Sequence, residues 1–322
     1  MESIHNYDKL EHLNPSNHDW FVVNWCLGNT CNFSCSYCPT NLHDGSKRWH
    51  NTDSVKSFVS KIRTHHPGKN IYFEFTGGEV TLNKDFIDIC KFCTEQGVKV
   101  GFISNGSRTP RWWEENKHYF DNVMLSYHSE FADADHFYKI AEILHGEVRT
   151  HINVMMNPEK WEDCMAIAHR IKDLGNCSIA LQPLIHDLAS EMYDYTPEQK
   201  QVFARQHEII SQHIVYTKKF DYYRGAMNTI KSDGATFPRT AHSFISRNTN
   251  NWQGWRCYAG VEQLIVDMDG SVWRGWCRVG GPIGHIDDPN LALPTDPIIC
   301  TKNLCHCNYD IMSTKVRQPG GV

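Results

Sequence analysis

No run of roughly 18 apolar residues occurs anywhere in the chain of 322 residues, which argues against a membrane-spanning helix. No block of about five or six like charges occurs either. With 32 basic residues against 37 acidic ones, a formal net charge of −5, the electrostatic footprint of a nucleic-acid or anionic-lipid partner is missing. The opening stretch MESIHNYDKLEHLNPSNHDW lacks the basic start and apolar core of a secretory signal, and the expectation is a soluble cytoplasmic protein. Its 13 cysteines fall well below the roughly 8–10% of a disulfide scaffold, and in an intracellular chain such residues serve more often as metal ligands or catalysts. The 19 histidines are scattered, with no HExxH-like spacing. What is present is a hydrophobic content of 40%, enough to bury one large core or two ordinary ones, which excludes a disordered tail.

Short β-branched and aromatic runs bounded by turn residues recur: WFVVNWC from Trp20, IYFEFT from Ile71, VKVGFIS from Val98, NVMLSYH from Asn122, RTHINVMM from Arg149 and CSIALQPL from Cys177. Helix-like stretches lie between them. In residues 83–96, Phe86, Cys90 and Cys93 share a face; in residues 159–174, Cys164, Ile167, Ile171 and Leu174 do, with Gly97 and Gly175 placed as stops. Strands alternating with single helices predict an α/β fold of βαβ units on a parallel sheet, with sites at the carboxyl ends of the strands. About six such units fit between Trp20 and Ile185, two short of an eightfold barrel.

Beyond Ile185 the pattern changes. Residues 196–219 read as one longer helix, with Thr196 as N-cap, Pro197 at the first position and Gln199 completing a capping box. Residues 221–253 are polar and weakly periodic, the signature of a long loop that often serves as a lid. The expected organisation is a barrel-like domain over residues 18–186, a helix with a connecting or lid segment over 187–253, and a small Cys- and Gly-rich domain over 254–322.

The strongest chemical signal is Cys31-Asn32-Phe33-Ser34-Cys35-Ser36-Tyr37-Cys38, a CxxxCxxC cluster directly after the first of these strands. Three thiolates from one loop can wrap a metal centre and leave a four-coordinate cluster one protein ligand short. Spacing alone leaves two chemistries open: an iron–sulfur cluster with an exchangeable iron, or half of a zinc site closed by a distant Cys or His. Cys90 and Cys93 form a CxxC whose helical spacing turns both sulfurs to the apolar face, and they read as buried core together with Cys26, Cys164 and Cys177.

The CxxxCxxC loop, with Tyr37 just before its last cysteine, resembles the defining motif of the radical S-adenosylmethionine (SAM) superfamily. Thr76-Gly77-Gly78-Glu79, at the end of the next strand, is similar to that superfamily's GGE segment. The resemblance covers about residues 20–185 and implies a partial (βα)6 barrel of the TIM type. It further implies a [4Fe–4S] cluster on Cys31, Cys35 and Cys38 that chelates SAM, and cleavage of SAM to a 5′-deoxyadenosyl radical that abstracts hydrogen from substrate. Tyr37, Gly77, Gly78 and Glu79, with the strand-end residues Ser104, Asn105, Ser126, Asn153 and Gln182, are the cofactor-binding candidates. His128 and Glu130 remain open between facing substrate and a structural role.

A second group of cysteines is C-terminal: Cys257, Cys277, Cys300, Cys305 and Cys307. The stretch CYAGVEQLIVDMDGSVWRGWC resembles the opening of SPASM and twitch extensions, with Asp269-Gly270 at the turn of a hairpin. The resemblance implies one auxiliary [4Fe–4S] cluster on Cys257 and Cys277 plus two of Cys300, Cys305 and Cys307, although a closed zinc site suits four thiolates equally well. Such architecture implies oxidation of a small polar metabolite, or modification of a peptide by epimerisation or crosslinking, with an electron donor such as flavodoxin or ferredoxin. A short stretch before Cys31 favours the small molecule, since a separate peptide-recognition domain has no room there. A redox-neutral outcome would need a hydrogen donor, for which the spare cysteine or Tyr258 could serve. A non-catalytic, zinc-stapled binding protein is the alternative from another class.

Overall fold

A computed structural model describes residues 7–186, 191–210 and 226–318. Its strands begin with β1 (Tyr7–His12), followed by β2 (Trp20–Cys26), β3 (Asn70–Thr76), β4 (Lys99–Ser104), β5 (Asn122–His128), β6 (Arg149–Met156) and β7 (Ser178–Pro183). From β2 onward they alternate with α1 (Thr52–His65), α2 (Phe86–Glu95), α3 (Pro110–Asn116), α4 (Ala134–Leu144) and α5 (Trp161–Leu174), the strand–helix alternation of a partial (βα)6 barrel. The chain divides into two compact units, and both β2 and β3 begin in one and end in the other. One unit comprises Cys26–Thr52 and Glu74–Phe220, the other Met1–Trp25, Asp53–Phe73 and Asp221–Val322.

In the first of these, β3 to β7 lie side by side in chain order, and β4 to β7 pair in parallel. The register sets Ser126 of β5 beside Asn153 of β6, so two polar residues pair across these strands, with Ala180 of β7 next in line. Helices close over the sheet through aromatic contacts. Phe86 of α2 meets Phe75 and Phe102 edge-on at 5.9 and 5.0 Å, and Phe102 stacks on Trp113 of α3 at 5.9 Å. All four are fully buried, each contributing roughly 1.5–3 kcal/mol of hydrophobic stabilisation. Cys90 and Cys93 are buried on the inner face of α2 as expected, and Gly175 caps α5 at a φ of 79°.

The second unit carries an antiparallel sheet in the order Thr236–Arg239, Met227–Lys231, β1, Lys315–Val316, Arg256–Cys257, Ile298–Ile299. Gln263–Val266 pairs in parallel with β2 and in antiparallel with Ser271–Trp273, and the turn passes through Gly270 at a φ of 84°. The expected hairpin around Asp269-Gly270 is therefore present. All seven residues of β2 are buried, the continuous pattern of a strand covered on both faces.

Two expectations are corrected here. The capping box of Thr196 and Gln199 opens a helix, but that helix covers Pro197–Ala204 and breaks at Arg205 (φ −110°) before a second short helix at Gln206–Ile210; residues 211–219 lie outside the described residues. The described part of the supposed loop over 221–253 holds a β-hairpin and the helix Ala241–Ser246. Its strand pattern is disguised because Thr229, at an inward position beside Met227, buries its hydroxyl by donating to Phe237 O at 2.9 Å. Met227, Ala241, Phe244, Trp252 and Trp255 instead form a core with Tyr7 and Leu10 of β1, Ile311 and Met312. Among the described residues no helix is long and apolar enough to cross a membrane.

Candidate functional site

The cysteine loop is built on a close approach of two backbone segments. After β2, Leu27 N donates to Thr76 O at 2.9 Å, and Glu79 N donates to Thr30 O at 2.8 Å, so the end of β3 runs against residues 27–30. A Cβ on Gly77 would stand 2.2 Å from Gly28 O, and one on Gly78 would stand 2.2 Å from Thr30 O. Both residues also have positive φ, 103° and 52°. The paired glycines thus let β3 seat the root of the cysteine loop, a role that requires the absence of a side chain. Asn29, fully buried, finishes the anchoring: its Nδ2 donates to Asn41 O, Asp44 Oδ1 and Ser46 Oγ, and its Oδ1 accepts from Lys47 N.

Cys35 is 6% exposed, and burial pushes its thiol up to about 12, with the negative charges of Glu130, Cys31 and Cys38 adding to the effect. Burial likewise raises Cys31 and Cys38, and Cys31 raises Cys38 further. The three sulfurs therefore lie within electrostatic reach of one another, and a bound metal must displace their protons. Cys31 Sγ accepts from Phe33 N at 3.4 Å and from Asn105 Nδ2 at 3.9 Å, the N–H···S arrangement that tunes iron–sulfur ligands. The next candidate ligand along the chain, His43, donates Nε2–H to Cys38 O at 3.2 Å instead. Three thiols with amide donors on one sulfur fit a [4Fe–4S] cluster with one iron left for an exogenous ligand.

His128, the last residue of β5, and Glu130, just beyond it, are turned onto the loop. Glu130 accepts from Ser36 N at 2.8 Å and from Ser36 Oγ at 2.5 Å. Burial lowers His128 to about 4 and raises the Tyr37 phenol, so a neutral phenol and a neutral imidazole share a hydrogen bond, Tyr37 Oη to His128 Nδ1, at 2.7 Å. Their contacts are those of loop supports.

Glu79, a candidate cofactor ligand, is 1% exposed and raised above the ordinary carboxylate range by burial. Its carboxylate accepts from Thr81 N and Oγ1, Ser104 Oγ and Asn105 N at 2.6–3.2 Å. It therefore joins the ends of β3 and β4. Asn105 Nδ2 also donates to Asn32 Oδ1 at 2.9 Å, which brings the end of β4 to the loop. Farther along the sheet, Asn153 Oδ1 accepts from His151 Nε2 and from Gln182 Nε2 at 3.0 and 3.3 Å, while Ser126 is 8% exposed beside it. Sequence reasoning did not single out Asn29. Its signal, a polar residue between the end of a buried strand and the first cysteine, was there to be read.

Four of the C-terminal cysteines, Cys257, Cys277, Cys305 and Cys307, lie within electrostatic reach of a buried carboxylate. Asp310, 2% exposed, accepts from Cys277 N at 2.6 Å, Trp276 N at 3.0 Å and Gln263 Nε2 at 2.9 Å. Burial raises Cys257, pushes Cys277 up to about 12 and Cys307 to about 11, and raises Cys305 strongly. Cys257 is influenced by Cys300, Cys277 by Cys257, and Cys305 by both Cys257 and Cys277, so these four lie within electrostatic reach; Cys307 is coupled chiefly to Asp310. Lys315, 1% exposed, is held by the carbonyls of Asp310, Ile311 and Ser313, and its charge favours the thiolates of Cys257 and Cys305. A buried cation beside clustered thiols suits an anionic centre. Asp310 and Lys315 were not legible in the sequence.

Residues 25–180 match the sequence profile of the Radical SAM superfamily. Over 232 residues, 67% of this chain and 73% of the relative, the sequence is 21% identical to an S-adenosylmethionine-dependent nucleotide dehydratase of Psychrobacter lutiphocae. Among solved structures, Streptococcus suis SuiB matches 84% of this chain and 64% of its own, at 12% identity and a TM-score of 0.53, so less than two thirds of SuiB is spanned. Native anSMEcpe with bound AdoMet matches 84% of this chain and 78% of its own, at 17% identity and a TM-score of 0.50.

Proposed function

Since the chain is a radical SAM superfamily enzyme, we propose that Cys31, Cys35 and Cys38 hold its [4Fe–4S] cluster and that its substrate is a small polar metabolite, a nucleotide being the first class to test. Bound at these residues, the cluster and SAM supply reductive cleavage of the cofactor and hydrogen-atom abstraction from an unactivated carbon. The chain's own part is positioning. Gly77 and Gly78 seat the loop root, Glu130 and His128 hold Ser36 and Tyr37, and Glu79 binds Ser104 and Asn105 at the end of β4, where Asn105 meets the loop. Ser126, Asn153 and Gln182 offer polar groups on the C-terminal halves of the following strands. The gathering of three thiols in one loop, Cys35 buried and Cys31 and Cys38 half-buried, with the loop root seated on two glycines, is the observation that carries this reading. The nucleotide preference is supported by what the Psychrobacter relative is named for.

In the same reading Cys257, Cys277, Cys300 and Cys305 hold one auxiliary [4Fe–4S] cluster in a SPASM- or twitch-like C-terminal domain, leaving Cys307 as the spare thiol. An auxiliary cluster could accept the second electron of a net oxidation, with a flavodoxin- or ferredoxin-type donor supplying the first. Anaerobic protein incubated with SAM, dithionite and single nucleotides tests the proposal. Formation of 5′-deoxyadenosine that rises with one nucleotide class supports it, whereas 5′-deoxyadenosine that responds only to peptides moves the substrate to the peptide class.

A further inference from the structure

A second constellation lies away from all the cysteines. His12 at the end of β1, His18 in the turn Pro15–Asp19, and Glu262 in the turn before Gln263–Val266 bring one ligand atom each to within 4.8 Å of one another. We propose that these three residues form a mononuclear site for a divalent first-row transition cation, with zinc as its best occupant. His12 is 2% exposed and Glu262 9%. His12 Nε2 stands 3.3 Å from Glu262 Oε2, and the two imidazole rings meet edge-on with centroids 4.9 Å apart.

Geometry and ligand chemistry point the same way. Tetrahedral N and O ligands about 2.0–2.2 Å from zinc sit roughly 3.4 Å from each other, so the His12–Glu262 pair already has the right separation and His18 needs only a small inward movement. Two imidazoles and one carboxylate, with no thiol among them, form a facial set that leaves an open position for water. The oxygen that faces His12 is itself held by Thr314 N, which donates to Glu262 Oε2 at 2.9 Å, a hydrogen bond of the kind that metal-binding carboxylates receive.

The backbone at each ligand is also fixed. Val22 N donates to Glu262 O at 3.1 Å, Lys69 Nζ donates to His18 O at 2.5 Å, and His12 pairs with Met227 in the sheet. A simple His–Glu ion pair would account for two of these residues but gives no part to the second imidazole. The site draws on positions 12, 18 and 262, so a bound ion would tie the N-terminal strand to the turn that leads into Gln263–Val266.

The test uses the full chain, anaerobically loaded with iron and sulfide, then given equimolar Zn²⁺ and desalted. Expected are about one zinc per chain, a zinc-edge absorption spectrum with a nitrogen and oxygen shell near 2.0 Å, and loss of that zinc in His18→Asn and in Glu262→Gln, iron staying at the wild-type level. Glu262→Gln keeps an acceptor for Thr314 N, so it guards against a mere folding defect. Absence of retained zinc, a sulfur shell near 2.3 Å, or zinc unaffected by both substitutions overturns the proposal. Because iron and zinc are counted separately, failure here is distinguishable from failure of the cluster assignment.

Discussion

Replacing Gly77 by alanine probes the junction between β3 and the cysteine loop most sharply. The new Cβ would lie 2.2 Å from Gly28 O, a backbone atom that cannot swing aside, at a residue whose φ is 103°. Overpacking typically costs about 1–3 kcal/mol, and the left-handed backbone adds about 1–2 kcal/mol for a residue with a Cβ. A total near 3 kcal/mol corresponds to a fall of roughly 6–12 °C in melting temperature for a unit of this size. Gly97→Ala is the matched control. Its φ is 67° but nothing lies within 4 Å of its Cβ, so it incurs the backbone cost alone. Thermal unfolding of the two variants, with iron counted on each, distinguishes them: Gly77→Ala should melt several degrees lower than Gly97→Ala and retain less iron. Equal melting temperatures with full iron in both would refute the view that the glycine pair exists to seat this loop.

Further outcomes follow from the same contacts. Glu130→Ala deletes the acceptor for Ser36 N and Oγ, charge-assisted bonds worth about 1.5–3 kcal/mol each, and should lower 5′-deoxyadenosine yield while leaving iron on the C-terminal cysteines unchanged. Asp310→Ala removes the acceptor of the half-buried Cys277 and Trp276 N–H groups and of the buried Gln263 amide, at about 1–3 kcal/mol apiece at most, so iron should be lost from the C-terminal site and SAM cleavage retained. His128 has a folded value of about 4 against an ordinary 6.5, so its neutral ring contributes stability above pH 6.5 that is lost as pH falls towards 4. Replacement by Gln should therefore flatten the dependence of melting temperature on pH in that window, and an unchanged slope would contradict it. Cys93→Ala should leave iron content untouched, because its sulfur is buried in the face of α2.

Much of this arrangement was legible in advance for physical reasons that can be named. β5 and β6 match the sequence runs residue for residue, because buried parallel strands concentrate β-branched and aromatic residues between turn formers. The cysteine loop and its glycine pair were legible because ligand spacing is local. What escaped was long-range. β1 finds its partners at residues 227–231 and 315–316, far along the chain, and carries no strong pattern of its own. The hairpin beside it was hidden by Thr229, whose hydroxyl is satisfied across the turn. Glu79 was expected among the cofactor-binding residues, and its carboxylate accepts from Thr81, Ser104 and Asn105, a structural use the motif alone does not reveal. Composition cannot distinguish these uses of a carboxylate. Asp310 and Lys315 look like ordinary surface charges until the fold buries them.

Release of 5′-deoxyadenosine from SAM by the anaerobic, dithionite-reduced protein, compared between the native chain and Cys35→Ala, puts the cluster assignment to its most direct trial. The account predicts release from the native chain and none from the variant, whose iron should fall by about four per chain while the C-terminal irons stay. Undiminished release by Cys35→Ala, with the same iron content, would contradict it.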